Sequence, residues 1–242
     1  MKRAIAPTTA LIAWASVLVQ MVMSVQHGLA QGDSFLRATV DYFSYFTVTT
    51  NTLVALVITV PWLAPASPMA KWLARPHMTA IAAAAIIVVG FAYHILLSSI
   101  NDPTGIEYVT DLGQHYVVPT LFTLHWVLAA PKAGLRYSQL PTFLIYPTAY
   151  FFYLVARGAI VGEYPYFFVD VSTLGLAVAA CNAFAIILFY LTVAAALLFV
   201  TTRQRTALVA LLLFLHPIAE EMDALNRIAS IRVDHPGTVS AA

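Results

Sequence analysis

Pairs of basic residues recur at regular intervals between six long apolar stretches, and this alternation constrains the possible fold more than any other feature. The stretches run approximately over Pro7–Val25, Tyr42–Leu63, Met78–Ile100, Leu112–Ala130, Leu140–Ala156 and Leu176–Thr201. Most of them reach the ~20 residues that an α-helix needs to cross the hydrocarbon of a bilayer. Between them stand Lys2 with Arg3, Lys71 with Arg75, Lys132 with Arg136, and Arg203 with Arg205, always on alternate connections. By the positive-inside rule both termini are then cytoplasmic. Adding Arg227 and Arg232 puts ten of the twelve Lys and Arg on that side, and the outer loops keep Arg37 and Arg157. The acids Asp33, Asp41, Asp102, Glu107, Asp111, Glu163 and Asp170 lie mainly outside.

A backbone that crosses hydrocarbon must satisfy its own hydrogen bonds, so the expected fold is all-α: a polytopic six-helix bundle over residues 1–205. The composition agrees, with 61% hydrophobic and 10% charged residues in 242. Beyond Arg205, Ala207–Leu215 is apolar but too short to cross, so residues 206–242 read as an interfacial amphipathic helix and a cytoplasmic tail. The first stretch resembles a signal peptide, with Lys2-Arg3 ahead of it and Gly28-Leu29-Ala30 behind, but its apolar length favours a retained helix. Pro61, Pro65, Pro68 and Pro76 predict a second connection without helix. A formal net charge of +1 gives no basis for nucleic-acid binding. The single Cys181 has neither a disulfide partner nor a second thiol for a metal and reads as packing.

Polar groups within membrane helices are costly, which makes those present the place to look for function. Spans two and four enter from the outside, so Thr47, Thr50 and Asn51 on one, and Asp111, Gln114 and His115 on the other, lie near the outer surface. Spans three and five travel outward and bring His94, Ser98 and Arg157 to the same level. The inner halves offer chiefly His125 and Thr59. Each group has a structural reading beside a functional one. Thr47 can bond its own backbone at i−4, as Thr commonly does in membrane helices, or serve as a nucleophile. Asp111 followed by Gln114 is either a capping box or, with Asp111 one turn before His115, a carboxylate that orients the imidazole. Arg157 either complements a helix dipole and snorkels to the interface, or holds a fatty-acid carboxylate. His115, in the expected first turn of the fourth span, feels the positive end of a helix dipole, which favours the neutral, proton-accepting ring of a general base. Asn51 is a candidate oxyanion donor. There is no G-x-S-x-G elbow, no H-E-x-x-H and no Cys/His spacing, so neither a metal nor another cofactor is expected.

The segment Phe43-Ser44-Tyr45-Phe46-Thr47-Val48-Thr49-Thr50-Asn51, then Asp111-Leu112-Gly113-Gln114-His115 with Pro119, then Ile145-Tyr146-Pro147, Arg157-Gly158 and Gly162-Glu163-Tyr164-Pro165-Tyr166-Phe167, resembles the bacterial six-transmembrane "Pr-six-Pr" family. More distantly, it is similar to the androgen-induced and androgen-dependent six-transmembrane hydrolases of fatty acid esters of hydroxy fatty acids. The resemblance implies Thr47 as nucleophile, His115 as base, a supporting place for Tyr164 in the last outer loop, and a membrane lipid or fatty acid ester as substrate. Thr50 and Asn51 stand where the eukaryotic motif has an acid, and the distance from His115 to Pro119 differs by one. Two other classes stay open. A lipid-binding or assembly protein would keep the helices and the outer pocket without needing the Thr47 hydroxyl. A transporter would want polar groups reaching both faces, and the inner halves are poor in them.

Overall fold

The computed structural model describes residues 2–202, and among these it is all helix with no strand. The helices are α1 (Lys2–Ala30), α2 (Phe35–Phe43), α3 (Phe46–Leu63), α4 (Pro68–Leu73), α5 (Pro76–Ala92), α6 (Gly105–Leu112), α7 (Val118–Leu128), α8 (Leu140–Phe143), α9 (Ile145–Val161) and α10 (Val171–Thr202). Residues 1–202 form one compact unit. The interfacial helix and tail expected over 206–242 lie outside the described residues.

Five helical segments are long and apolar enough to cross a membrane: Ala4–Ala30, Phe46–Leu63, Pro76–Leu97, Tyr137–Val161 and Val171–Thr201. The chain is thus a multi-pass helical membrane protein. The sixth stretch, expected over Leu112–Ala130, is helical from Gly105 to Leu128 through a π-helical turn at Gly113–Val117, but it is not among the five. Asp111, Gln114, His115 and His125 all fall on it.

At the centre lies α5, packed on α3, α7 and α10. Every residue from Thr79 to Val89 is buried. The run Ala82–Ala85 explains this, because small side chains let neighbouring backbones approach closely where lipid tails provide no hydrophobic drive for association. Around it, α1 packs on α3 and α7, with Ala13 and Val17 buried, so the signal-like first stretch is an integral wall of the bundle. At Gly113 a Cβ would stand 2.2 Å from Ser16 Oγ and 3.2 Å from Ser16 Cβ, so α1 crosses the α6–α7 segment closely and a larger residue there would have to turn the Ser16 hydroxyl away.

Two expectations from proline and cysteine are corrected. The second connection is partly helical: Pro68 and Pro76 open α4 and α5 at their first turns, where a missing N–H costs nothing, and Ser67 caps α4 by accepting the Ala70 N–H at 3.1 Å. Cys181 is exposed on α10 and packs in no core. Near its start, α10 bends at Gly175, whose φ of 75° lies in the left-handed region.

Candidate functional site

The second stretch, expected as one helix from Tyr42, is broken at Ser44–Tyr45 into α2 and α3. Side chains from α9 hold the break. The Tyr150 hydroxyl donates to the Ser44 carbonyl at 2.7 Å, and Tyr153 pairs with the Ser44 hydroxyl at 2.7 Å. Tyr45 is extended (φ −82°, ψ 131°) and provides no side-chain cap, so the first N–H groups of α3 need acceptors from elsewhere. The Tyr166 phenol supplies one, accepting the Phe46 N–H at 2.9 Å, and it lines the same two cavities as Thr47. Thr47 therefore sits in the first turn of α3, at the positive end of its dipole. The break puts it there.

His115 faces it. Its Nε2 is 3.3 Å from Thr47 Oγ1, and on the other side of the ring Nδ1 is 3.0 Å from Asp111 Oδ1 and 3.1 Å from the Asp111 carbonyl. A carboxylate at Nδ1 holds the ring proton there and leaves the Nε2 lone pair directed at the threonine hydroxyl. Asp111 is fixed in turn by the Tyr93 hydroxyl, which donates to Oδ2 at 2.6 Å. The Tyr93 ring also stacks on His115, with centroids 3.7 Å apart and planes 12° from parallel. The His115 and Asp111 side chains are 13% and 18% exposed, so protein covers most of each while one face meets the vestibule described below. Nucleophile, imidazole and carboxylate stand in the order that acyl-transfer triads use.

The expected position of His115 in its helix is corrected. Helix α6 begins at Gly105, so His115 lies well inside the helical run and not in its first turn, and the dipole argument belongs to Thr47 instead. For the same reason Asp111 and Gln114 form no capping box. The Asp111 carboxylate is spent on His115 and Tyr93, and the Gln114 amide donates to the Ser16 carbonyl at 3.3 Å.

Asn51 is buried and its amide nitrogen already donates twice, to the Thr47 carbonyl at 2.9 Å and to the Gln114 carbonyl at 3.2 Å. Both amide protons are thus used, and Asn51 is a brace between α3 and the π-helical turn, with none left for an oxyanion. Arg157 is likewise corrected: it is 9% exposed, it pairs with Asp41, and its Nη1 donates to the Glu163 carbonyl at 2.8 Å. It neither snorkels nor stands free to bind a carboxylate. Together with Arg37, which meets Asp33 at 3.2 Å, Asp41 at 3.5 Å and Glu163 at 3.1 Å, it ties the connection after α9 to α2. Tyr164 packs against Gly158, where a Cβ would come within 2.1 Å of its ring, and so ties that connection to α9. Thr50 turns away from His115 and pairs with the Tyr146 hydroxyl at 3.0 Å.

Two residues that sequence reasoning missed belong to the site: Tyr93 and Tyr166. Burial pushes the Tyr166 phenol up to about 12, so at neutral pH it is a protonated donor beside the nucleophile.

Two cavities meet at Thr47, one almost wholly apolar and the other with polar and apolar groups mixed in its wall. One, of about 90 Å³, lies among α3, α5, α9 and α10 and is walled by side chains such as Val89, Phe151, Leu154, Ala183 and Ile187. The other, of about 590 Å³, is an open vestibule bordered by Gln20, Asn101, Asp102, Glu107, Asp111 and His115. Thr47, Tyr93, Leu97 and Tyr166 line both. Among the described residues no group of three or more His, Cys, Asp or Glu is placed to hold a metal ion. Comparison with protein-family models, curated proteins and solved structures yields no match, and the functional reading rests on this geometry.

Proposed function

We propose that this chain is a membrane hydrolase of lipid esters, with Thr47 as nucleophile, His115 as general base and acid, and Asp111 as the group that holds the imidazole. One observation carries the reading: the hydrogen-bonded series Tyr93, Asp111, His115, Thr47 ends on a hydroxyl that stands between an apolar cavity and a vestibule with polar groups in its wall. An ester that joins a fatty chain to a polar alcohol has the same division at its scissile carbonyl.

The chemistry follows from the distances. His115 Nε2 takes the Thr47 proton as Oγ1 bonds to the ester carbonyl carbon, and the carbonyl oxygen becomes an oxyanion. The Tyr166 hydroxyl is the donor nearest the developing charge. It is polarised by the Phe46 N–H, which bonds to its oxygen at the positive end of α3. Collapse breaks the bond to the alcohol oxygen, which leaves with the proton held by His115. Water then attacks the acyl-Thr47, gives its proton to His115, and releases a fatty acid as Oγ1 regains its hydrogen. Asn51 positions the nucleophile's turn, and Arg157 with Tyr164 positions the connection that carries Tyr166.

The charge distribution along the chain gives this reading its orientation, with six spans, both termini cytoplasmic and a site opening to the outer leaflet, and the resemblance to the bacterial six-transmembrane family implies residence in a bacterial cytoplasmic membrane. The likeness of its motifs to the six-transmembrane ester hydrolases points the same way.

The test is hydrolysis of a long-chain ester by purified protein in nanodiscs. Thr47→Ala and His115→Ala should each lose most of the turnover, and the double variant little more, because groups that act as one unit are strongly non-additive. Thr50→Ala, on a neighbouring face, is the control and should keep its turnover. A folded Thr47→Ala with parental turnover excludes this nucleophile. A folded parent that cleaves no lipid ester makes the site a lipid-binding one.

A further inference from the structure

Resting on the hydrolase reading above, we infer the polarity of the substrate and its direction in the site: the carbonyl end of the acyl chain enters the apolar cavity, and the alcohol part lies in the vestibule and carries no negative charge. The first half comes from the meeting of the two cavities at Thr47. The apolar one runs inward from the nucleophile between α9 and α10, past Leu154 and Ala183, which are 1% and 5% exposed. Its wall is almost wholly apolar and offers a hydrocarbon chain dispersion contacts, with the Tyr190 hydroxyl too little by itself to replace the hydration of a headgroup. A polar alcohol placed there would lose its hydration without replacement. The vestibule is wider, mixes polar with apolar groups in its wall, and holds the His115 face that must return a proton to the departing alcohol oxygen.

The second half comes from the sign of charge. The charged side chains bordering the vestibule are Asp102, Glu107 and Asp111, and among the described residues that line it there is no Lys or Arg. The two nearest guanidinium groups along the chain's outer connections are engaged: Arg157 with Asp41 and the Glu163 carbonyl, and Arg37 with Asp33, Asp41 and Glu163. A carboxylate or phosphate on the alcohol would therefore meet like charge with no counter-ion, whereas a glycerol hydroxyl or an ammonium group would not. This separates the chain from the hydroxy fatty acid esters that its motif likeness implies, whose alcohol half bears a free carboxylate. A fatty acid ester of an uncharged alcohol, of the monoacylglycerol kind, fits.

The experiment compares two esters with the same oleoyl chain, monooleoylglycerol and an oleoyl ester of hydroxystearic acid, by kcat/KM in nanodiscs of uncharged lipid. The glycerol ester should be preferred by about tenfold or more at low ionic strength, and the preference should narrow as salt screens the exposed acids. The double variant Asp102→Asn, Glu107→Gln should narrow it several-fold without added salt. Equal or better cleavage of the anionic ester, or a preference indifferent to both salt and the double variant, overturns the inference while leaving the hydrolase intact. Failure to cleave either ester removes the hydrolase reading itself.

Discussion

Replacing Tyr166 by Phe tests the part of the site that is least visible in sequence. The ring stays: it is buried at 9% exposure, packs with Leu154, Val169 and Ala183, and stacks on Phe168 at 5.2 Å, and Phe preserves all of this. Only the hydroxyl goes, with two separable consequences. The Phe46 N–H loses its acceptor at 2.9 Å, and a buried donor left without a partner costs about 1–3 kcal/mol of stability. If the phenol also donates to the oxyanion, turnover falls by about 10²–10³, the loss seen when one such donor is removed, equivalent to roughly 3–4 kcal/mol of barrier. The first effect appears as a lower unfolding temperature and the second as a lower kcat with KM little changed, because the donor is called on only when negative charge develops. Since burial pushes this phenol up to about 12, the parent keeps it protonated throughout the neutral range. The loss of rate should therefore be uniform with pH, and the profile should keep its shape. Turnover within about twofold of the parent, accompanied by a lower unfolding temperature, would show that Tyr166 is only a helix cap.

Asp111→Asn keeps the shape of the side chain but allows the imidazole the wrong tautomer, and it should lower kcat by about 10³–10⁴ while the protein stays folded; a loss under tenfold would remove Asp111 from the proton path. A reporter fused at residue 105, where α6 begins, should behave as extracytoplasmic, and cytoplasmic behaviour would invert the bundle and place the vestibule at the inner leaflet.

How much of this was legible in the sequence depends on whether the signal was local. The apolar runs are local, and five of the six stretches correspond to helices long and apolar enough to cross a membrane. Their ends were less legible. The second span reads as starting at Tyr42 because Tyr42 and Phe43, the last residues of α2, continue its apolar run, while the break after them depends on Tyr150 and Tyr153, about a hundred positions away. The start of the fourth helical run was placed seven residues late because Gly105–Asp111 is polar and amphipathic and does not look like a span. Thr47 and His115 stood out as polar groups at equal depth, and the structure puts them 3.3 Å apart. Asn51 and Arg157 stood out for the same reason, but depth says nothing of partners. Their donors are absorbed by the Thr47 and Gln114 carbonyls in one case, and by Asp41 and the Glu163 carbonyl in the other. Tyr93 and Tyr166 were hidden because tyrosine is common near membrane surfaces, where it reads as an interface anchor. One signal for Tyr166 was present: it belongs to the Tyr164-Pro165-Tyr166 element, in which Tyr164 had been singled out. The chain reverses so that Tyr164 packs on Gly158 and Tyr166 reaches the nucleophile.

The central claim is that the Thr47 hydroxyl is activated by His115, and covalent capture tests it most directly. The purified protein in nanodiscs is treated with an alkyl fluorophosphonate, which phosphonylates an activated hydroxyl, and the modified residue is located by peptide mass spectrometry. The account predicts a single adduct on Thr47, abolished in Thr47→Ala, strongly slowed in His115→Ala, and suppressed by a competing long-chain ester. An adduct that survives unchanged in Thr47→Ala, or labelling of Thr47 at the same rate with and without the His115 imidazole, would contradict it.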